Sequence, residues 1–143
     1  MCNQYLIEEN ELDIQSNISR KIKIIKIISI EKRWFTFQEI SKMLNTSTKT
    51  ISKDLTYIKD EIPQNCSIEI KKGYGVRLVM PKDISVEEII SIFFKESLIF
   101  QVFIQLIGKK HNTVSTMAES LYIQPYQVTK ILKKIENIFG NLD

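Results

Sequence analysis

Residues 33–62 read RWFTFQEISKMLNTSTKTISKDLTYIKDEI, and this run contains the signals for two helices joined by a short turn. Thr36, with Glu39 three residues later, matches the capping box, in which each side chain pairs with a backbone amide of the other residue. Phe35 before the cap and Ile40 after it are spaced for a hydrophobic staple. The pattern therefore predicts a helix that starts at Thr36.

A second helix is predicted after the polar turn at residues 45–47, because Ser47 is a favourable N-cap. Apolar residues recur along it at spacings of four, three and four, which is helical periodicity; they are Ile51, Leu55, Ile58 and Ile62. Pro63 ends the helix, since the residue before a proline is biased out of helical geometry. The opposite side of the helix is polar, with Lys49, Ser52, Lys53 and Thr56.

The flanking segments complete a small fold. Isoleucines at helical spacing predict a first helix over residues 17–32. Downstream, residues 67–71 and 76–80 alternate apolar and polar side chains around a glycine-containing loop, which predicts a β-hairpin. We call this hairpin, residues 67–80, the wing. Helix, helix, turn, helix and hairpin is the order of a winged helix-turn-helix.

The pattern repeats 77 residues further on, which indicates an internal duplication. A long helix is predicted over residues 86–107, followed by helices at residues 113–121 and 125–139. The aligned positions are Thr36 with Thr113, Ile40 with Met117, Ile51 with Val128, Leu55 with Leu132, Ile58 with Ile135 and Ile62 with Phe139. No strands follow residue 139, so the second unit is predicted to lack a wing. The expected fold is mainly α with a small β-hairpin, a tandem winged helix-turn-helix.

Charge is distributed unevenly over the three predicted domains. Residues 1–15, read as a flexible acidic leader, contain four acids and no base. Residues 16–81, the first winged helix-turn-helix, contain thirteen bases and six acids, a net charge of +7. Residues 82–143, the long helix and second helix-turn-helix, contain seven of each. The first winged unit is therefore expected to face a polyanion.

Several classes of function lack the residues they need. Two cysteines and one histidine are too few for a disulfide framework or a zinc site, so no metal or cofactor is predicted. We find no convincing nucleophile–base pair or phosphate loop in the sequence, and predict no enzyme. The polar N-terminus predicts no signal peptide, and charges interrupt the apolar run at residues 86–107, so no membrane span is expected.

Double-stranded DNA is the predicted partner, read by the helix that starts after Ser47. Lysine and arginine can neutralise phosphates, and side chains near the N-terminal end of such a helix can read bases in the major groove. On this helix the candidate residues are Thr48, Lys49, Ser52, Lys53, Thr56 and Tyr57, and Thr36 marks a second helix end that could face a phosphate. The wing adds Lys71, Lys72, Tyr74 and Arg77, and the second unit adds Gln127 and Lys130.

Each of these assignments has an alternative. Lys49 and Lys53 also suit a solvated helix face, and Tyr74 also suits packing on the hairpin. The predicted helix at residues 86–107 has more apolar surface than one small core covers, so we expect burial on two sides. Its phenylalanines, among them Phe93, are expected to contact the first unit or another subunit. The alternative function is therefore a non-catalytic interaction module that pairs with a second copy or a full-length regulator.

The junction at residues 33–36, the segment at residues 47–55 and the wing loop at residues 72–78 resemble the N-terminal part of the Mga/AtxA-type virulence transcription regulators. The similarity covers about residues 18–140. It implies a cytoplasmic transcription regulator of a low-GC Gram-positive bacterium, here expected as a truncated activator, with DNA contacts at Thr48, Lys49, Ser52 and Lys53. In that family, phosphotransferase-system regulation domains and a dimerisation domain follow. This sequence stops before them, so neither control by phosphorylation nor that dimerisation region is expected.

Overall fold

The computed structural model of the chain describes residues 15–108 and 113–140, without the side chains of residues 138 and 139. The predicted leader up to residue 14, the loop that contains His111 and the core position Phe139 lie outside the described residues. Within them the chain is mainly helical with one two-stranded antiparallel sheet, as predicted.

The elements divide between two compact units. In chain order they are α1 (Ser16–Ile30), α2 (Phe37–Leu44), α3 (Thr48–Glu61), β1 (Ser67–Lys71), β2 (Gly75–Val79), α4 (Val86–Phe94), α5 (Leu98–Gly108), α6 (Val114–Leu121) and α7 (Pro125–Gly140). The first unit is Ser16–Phe94, and the second comprises Gln15 and the described residues from Lys95 onward. The sequence places the boundary between its units after residue 81, whereas α4 packs on α1 within the first compact unit.

Local signals set the ends of α2 and α3. Thr36 Oγ1 accepts a hydrogen bond from the Glu39 backbone N–H at 3.1 Å, and the Glu39 carboxylate accepts one from the Thr36 N–H at 2.7 Å. Ser47 Oγ accepts from the Thr50 N–H at 3.2 Å. Between the helices, Asn45 adopts left-handed geometry with φ of 49°, which asparagine tolerates better than most residues. The predicted capping box and N-cap are both confirmed.

The wing is fixed to the helix-turn-helix by a short bridge. Phe35 donates its N–H to the Val76 carbonyl and accepts from the Val76 N–H, both at 2.8 Å. Both side chains are buried, at 3% and 0% exposure. The core behind them consists mainly of branched aliphatic side chains, including Ile22, Ile24, Ile25, Ile28, Ile40, Ile51, Leu55 and Ile58. The residue before the α2 cap therefore also sets the position of the wing.

The predicted continuous helix over residues 86–107 is wrong. The chain leaves helical geometry at residues 95–97, between α4 and α5. Ser97 accounts for the break, because its Oγ accepts a hydrogen bond from the Phe100 N–H at 3.4 Å, as an N-cap does. The continuous apolar run at residues 86–107 favours a single helix, whereas Ser97 is a local signal for the start of a second one.

The duplication predicted from the sequence is visible in the backbone. A shift of 77 residues superimposes the bounds of α2 on those of α6. Thr113 caps α6 as Thr36 caps α2, and Thr116 Oγ1 accepts from the Thr113 N–H at 3.3 Å, where Glu39 accepts in the first unit. Tyr122, the counterpart of Asn45, is also left-handed, with φ of 56°. The two helix-turn-helix motifs share their turn geometry as well as their apolar pattern.

The same offset relates α1 to α5. Ile22 and Ile25 of α1 correspond to Ile99 and Val102 of α5, and all four side chains are buried. In the described parts of the chain, strands occur only in the first unit. No single helix of the described residues is long and apolar enough to cross a membrane; α4 and α5 meet the length and composition test only as a bent pair.

Candidate nucleic-acid interface

The outward side of α3 presents the polar residues that the sequence predicted to face DNA. Thr48, Lys49, Ser52, Lys53 and Thr56 are all exposed. The opposite side, formed by Ile51, Leu55 and Ile58, is fully buried at 0% exposure. Neither Lys49 nor Lys53 forms an ion pair with any residue that the structure describes. Both ammonium groups are therefore presented to solvent without a neighbouring carboxylate partner.

Tyr57, the last residue of α3 predicted to contact DNA, also packs against side chains of the first unit. Its ring is 40% exposed and lies 4.7 Å from Lys21 Nζ and 6.3 Å from the ring of Phe93 of α4, measured between ring centroids. Phe93 is fully buried at 0% exposure. The expectation that this phenylalanine contacts the first unit is confirmed.

The acidic residue in the middle of α3 is turned inward. Asp54 is 5% exposed, and Arg20 of α1 donates from Nε and Nη2 to its two carboxylate oxygens, with an Nη2–Oδ1 distance of 3.1 Å. Lys21 Nζ lies 3.9 Å from Oδ1. The hydrogen bond to Asp54 is the main reason that the pKa of Arg20 is raised above its ordinary value, against a smaller lowering by desolvation. This carboxylate is thus neutralised internally and does not oppose the lysines on the outer side.

Sequence reasoning missed the ion pair of Arg20 with Asp54, although a signal for it was present. Asp54 follows Ile51 by three residues and precedes Leu55 by one, so it falls on the apolar stripe of α3. A carboxylate in that position needs a buried partner, because an unpaired buried charge is very costly. The partner could not be named from the pattern, since it lies 34 residues away on another helix.

The predicted wing residues form a cluster of cations and aromatic rings. Lys71 Nζ lies 4.3 Å from the ring centroid of Tyr74, and the Arg77 guanidinium carbon lies 4.7 Å from that of Trp34. The two rings are 5.9 Å apart, and Arg77 Nε donates to Glu69 at 2.6 Å. Trp34 is therefore half-buried beside the wing. Lys71, Tyr74 and Arg77 are all exposed, and Arg77 is in addition held by Glu69 and Trp34.

The remaining candidate residues differ in how far they are engaged. Lys72, at the exposed hairpin tip, forms no ion pair within the described chain. Thr36 is engaged in the capping box, and the carboxylate of Glu39 places negative charge at that helix end, where a phosphate would have to lie. The Thr36 N–H lowers the pKa of Glu39, which keeps it ionised. Gln127 Oε1 accepts from the Gln124 N–H at 2.9 Å at the start of α7, and Lys130 is exposed.

Residues suited to metal or redox chemistry are not grouped in the described chain. No three His, Cys, Asp or Glu side chains among the residues that the structure covers are placed to hold a metal ion. Cys66 is buried, and its burial raises the pKa of the thiol, which keeps it protonated.

Two family models match consecutive parts of the chain. Residues 15–74 match the helix-turn-helix domain of the M protein trans-acting positive regulator (MGA), and residues 82–143 match the Mga helix-turn-helix domain. The chain belongs to the Mga-type family. The two matched segments contain the two helix-turn-helix motifs that the 77-residue offset relates, and the predicted family resemblance is confirmed.

Relatives within the Mga-type family are named as positive regulators. The capsule synthesis positive regulator AcpB of Bacillus anthracis is 43% identical over 124 residues, which cover 87% of this chain and 26% of AcpB. The capsule synthesis positive regulator AcpA of the same organism is 42% identical over 122 residues, covering 85% and 25%. The anthrax toxin expression trans-acting positive regulator of Bacillus anthracis is 31% identical over 124 residues, which cover 87% of this chain and 26% of that regulator. The chain thus spans about a quarter of the length of these curated relatives.

Proposed function

We propose that this Mga-type chain is a DNA-binding transcription regulator that reads duplex DNA with α3 and supports that contact with the wing. The observation that carries the proposal is the orientation of α3. Its exposed side presents Lys49 and Lys53, while the nearby carboxylate of Asp54 is buried and neutralised by Arg20. A polyanion approaching this side meets two ammonium groups and several hydroxyls.

The side chains on α3 suit both parts of DNA recognition. Lysine can neutralise a phosphate or donate to guanine O6 and N7, and each phosphate contact releases counterions. Thr48 and Ser52, at the N-terminal end of α3, can donate to or accept from base edges, which adds less selective contacts. Lys71, Lys72 and the exposed ring of Tyr74 extend the basic surface onto the wing. In the second unit, Gln127 and Lys130 of α7 are proposed as weaker, additional contacts.

The names of the relatives describe positive regulators, so we propose that the chain activates transcription rather than represses it. The helix-turn-helix domains also suit a regulator that acts in the cytoplasm without catalytic activity.

The second candidate is a non-catalytic interaction module that pairs with another copy or with a full-length regulator. Exposed apolar side chains at the end of α5 favour it: Ile104 is 48% exposed, Leu106 40% and Ile107 61%. Apolar groups exposed close together commonly mark contact surfaces between proteins. This function predicts tight binding to a regulator together with weak or absent binding to DNA.

A DNA titration of charge-matched variants tests the proposal. Three proteins are titrated against labelled AT-rich duplexes by fluorescence anisotropy at several salt concentrations: the wild-type chain, Lys49→Ala/Lys53→Ala and Lys82→Ala/Lys95→Ala. About five phosphate contacts give the wild type a log–log salt slope near −4 to −5. The first variant should lose about 1–3 kcal/mol for each base-reading lysine and reduce the slope by about one for each phosphate-contacting lysine.

The second variant removes the same charge from lysines outside the proposed interface. Lys82 follows the wing and Lys95 lies between α4 and α5, and both are exposed. This control should bind almost as tightly as the wild type. Equal losses in the two variants would mean that net charge, and not the outward side of α3, produces the binding. An absence of any binding at low salt would favour the interaction module.

A further inference from the structure

The first helix-turn-helix contains a buried charged group that its duplicate lacks. We call Arg20, Lys21 and Asp54 the buried clamp; Lys21 and Asp54 are buried, and the Arg20 side chain is 26% exposed. Under the 77-residue offset these positions correspond to Ser97, Leu98 and Ile131, none of which is charged. The clamp is therefore a feature of the unit proposed to read DNA and not a requirement of the motif.

The second unit shows that a helix-turn-helix can form without a charge at the position of Asp54. Its α7 packs with Val128 at 0% and Ile135 at 9% exposure, although Ile131 stands where Asp54 would be. An apolar residue thus suffices to dock the helix. A buried ion pair adds little to stability, because the cost of desolvating two charges offsets most of their attraction, and well-packed apolar replacements are often as stable or more so.

The geometry of the clamp is directional, unlike apolar packing. The Arg20 guanidinium is planar and engages both oxygens of Asp54, so the pair fixes the rotation of α3 about its axis as well as its position along α1. Lys53 is adjacent to Asp54 in the helix, and Lys49 lies just over one turn before it. Any rotation at Asp54 therefore displaces both lysines.

We propose that the buried clamp is a positioning device that sets the rotation of α3 against α1 and thereby the sequence specificity of DNA reading. The inference rests on the proposed function. The clamp residues touch no base themselves; they act through Lys49, Lys53 and the neighbouring hydroxyls. Tyr57 extends the device, because its ring is placed between Lys21 of the clamp and Phe93 of α4.

Specificity and stability are measured separately to test this. The wild-type chain first selects duplexes from a random library. Each variant is then titrated with the selected duplexes and with scrambled duplexes of the same composition. Urea unfolding of each variant is recorded in parallel. Arg20→Met/Lys21→Leu/Asp54→Ile removes all three charged groups, so that no buried charge is left unpaired, and lowers the net charge by one. The loss of one charge weakens binding to both kinds of duplex alike and does not change the ratio of the two affinities. The triple variant should fold with an unfolding midpoint equal to or above that of the wild type. The ratio of its affinities for selected and scrambled duplexes should fall about tenfold or more.

Two further variants separate positioning from stability. Arg20→Lys keeps both charges but loses the planar fork, and it should lower the specificity ratio while leaving affinity for scrambled duplexes unchanged. Ile25→Val, a core change in α1, should lower the unfolding midpoint and leave the ratio unchanged.

An unchanged specificity ratio in folded Arg20→Met/Lys21→Leu/Asp54→Ile, or in Arg20→Lys, would overturn the inference. So would failure of the triple variant to fold, because the clamp would then be required for the fold. If the wild type itself shows no preference among duplexes, the proposed function fails first and the inference falls with it.

Discussion

At Gly75 the backbone geometry admits no side chain. Its φ is +102°, and a Cβ placed there would lie 2.0 Å from the Phe35 carbonyl oxygen. Only glycine allows the strand to approach Phe35 closely enough for the bridge to Val76. Gly73, two residues earlier, also has a positive φ of +82°, but nothing lies within 4 Å of a Cβ built on it. A side chain at position 73 would therefore cause backbone strain alone, whereas one at position 75 would also clash with Phe35.

This pair gives a stability prediction. Gly73→Ala should lower the free energy of unfolding by about 1 kcal/mol, because alanine is disfavoured at positive φ. Gly75→Ala should lower it by about 3 kcal/mol or more, because the backbone of Phe35 must also move. Urea unfolding followed by circular dichroism measures both. Equal effects of the two substitutions would mean that the wing does not hold its place through the Phe35 bridge.

Part of the role of Asp54 can be predicted from the sequence. Its place on an apolar stripe signals an inward-facing charge, and its alignment with Ile131 signals that the charge is dispensable for the motif. Neither signal identifies Arg20, because the choice of partner depends on how two helices cross in space. The exposed residues Lys49 and Lys53, by contrast, followed directly from helical periodicity.

The helices themselves were largely predictable because their ends are encoded locally. The capping box at Thr36, the N-cap at Ser47 and the stop at Pro63 each depend on a few neighbouring residues. The break between α4 and α5 depends on the same kind of signal at Ser97, but an apolar run obscured it. The bridge from Phe35 to Val76 could not be predicted, since it joins segments 41 residues apart.

The capping box of α2 makes the stability of the first unit sensitive to pH. The pKa of Glu39 is lowered below its ordinary value, mainly by the hydrogen bond from the Thr36 N–H. A lowered folded-state pKa contributes stability above the unfolded-state pKa, and this contribution is lost as the pH falls through the folded-state value. Glu39→Gln keeps an acceptor for the Thr36 N–H but removes the titration.

Urea unfolding between pH 3 and pH 7 should therefore show a stability difference between wild type and Glu39→Gln that is constant above about pH 5 and shrinks below it. Thr116→Glu places a carboxylate in the equivalent box of α6 and should introduce a dependence of the same sign there. Parallel pH curves for wild type and Glu39→Gln would show that the charge of Glu39 does not contribute to the cap.

The chain as a whole consists of two related units that differ in charge and in structural elements. The first has the wing, the buried clamp and the excess of basic residues, and the second has the same helix-turn-helix without them in its described residues. Duplication accounts for the common turn geometry at Asn45 and Tyr122. The differences place the proposed DNA contact mainly on the first unit. Composition, charge and spacing predict that the first unit makes the main contact with DNA, whereas the ion pair of Arg20 with Asp54 is visible only in the packed structure.

The most direct test is to map the contact surface on the protein itself. A selected duplex is added to the ¹⁵N-labelled chain, and the backbone amide resonances are followed by two-dimensional NMR. We expect the largest shifts at Thr48, Lys49, Ser52 and Lys53, smaller ones at the tip of the wing, and little change along α5. Shifts confined to the second unit, or their absence from the first half of α3, would contradict the proposal that this helix reads DNA.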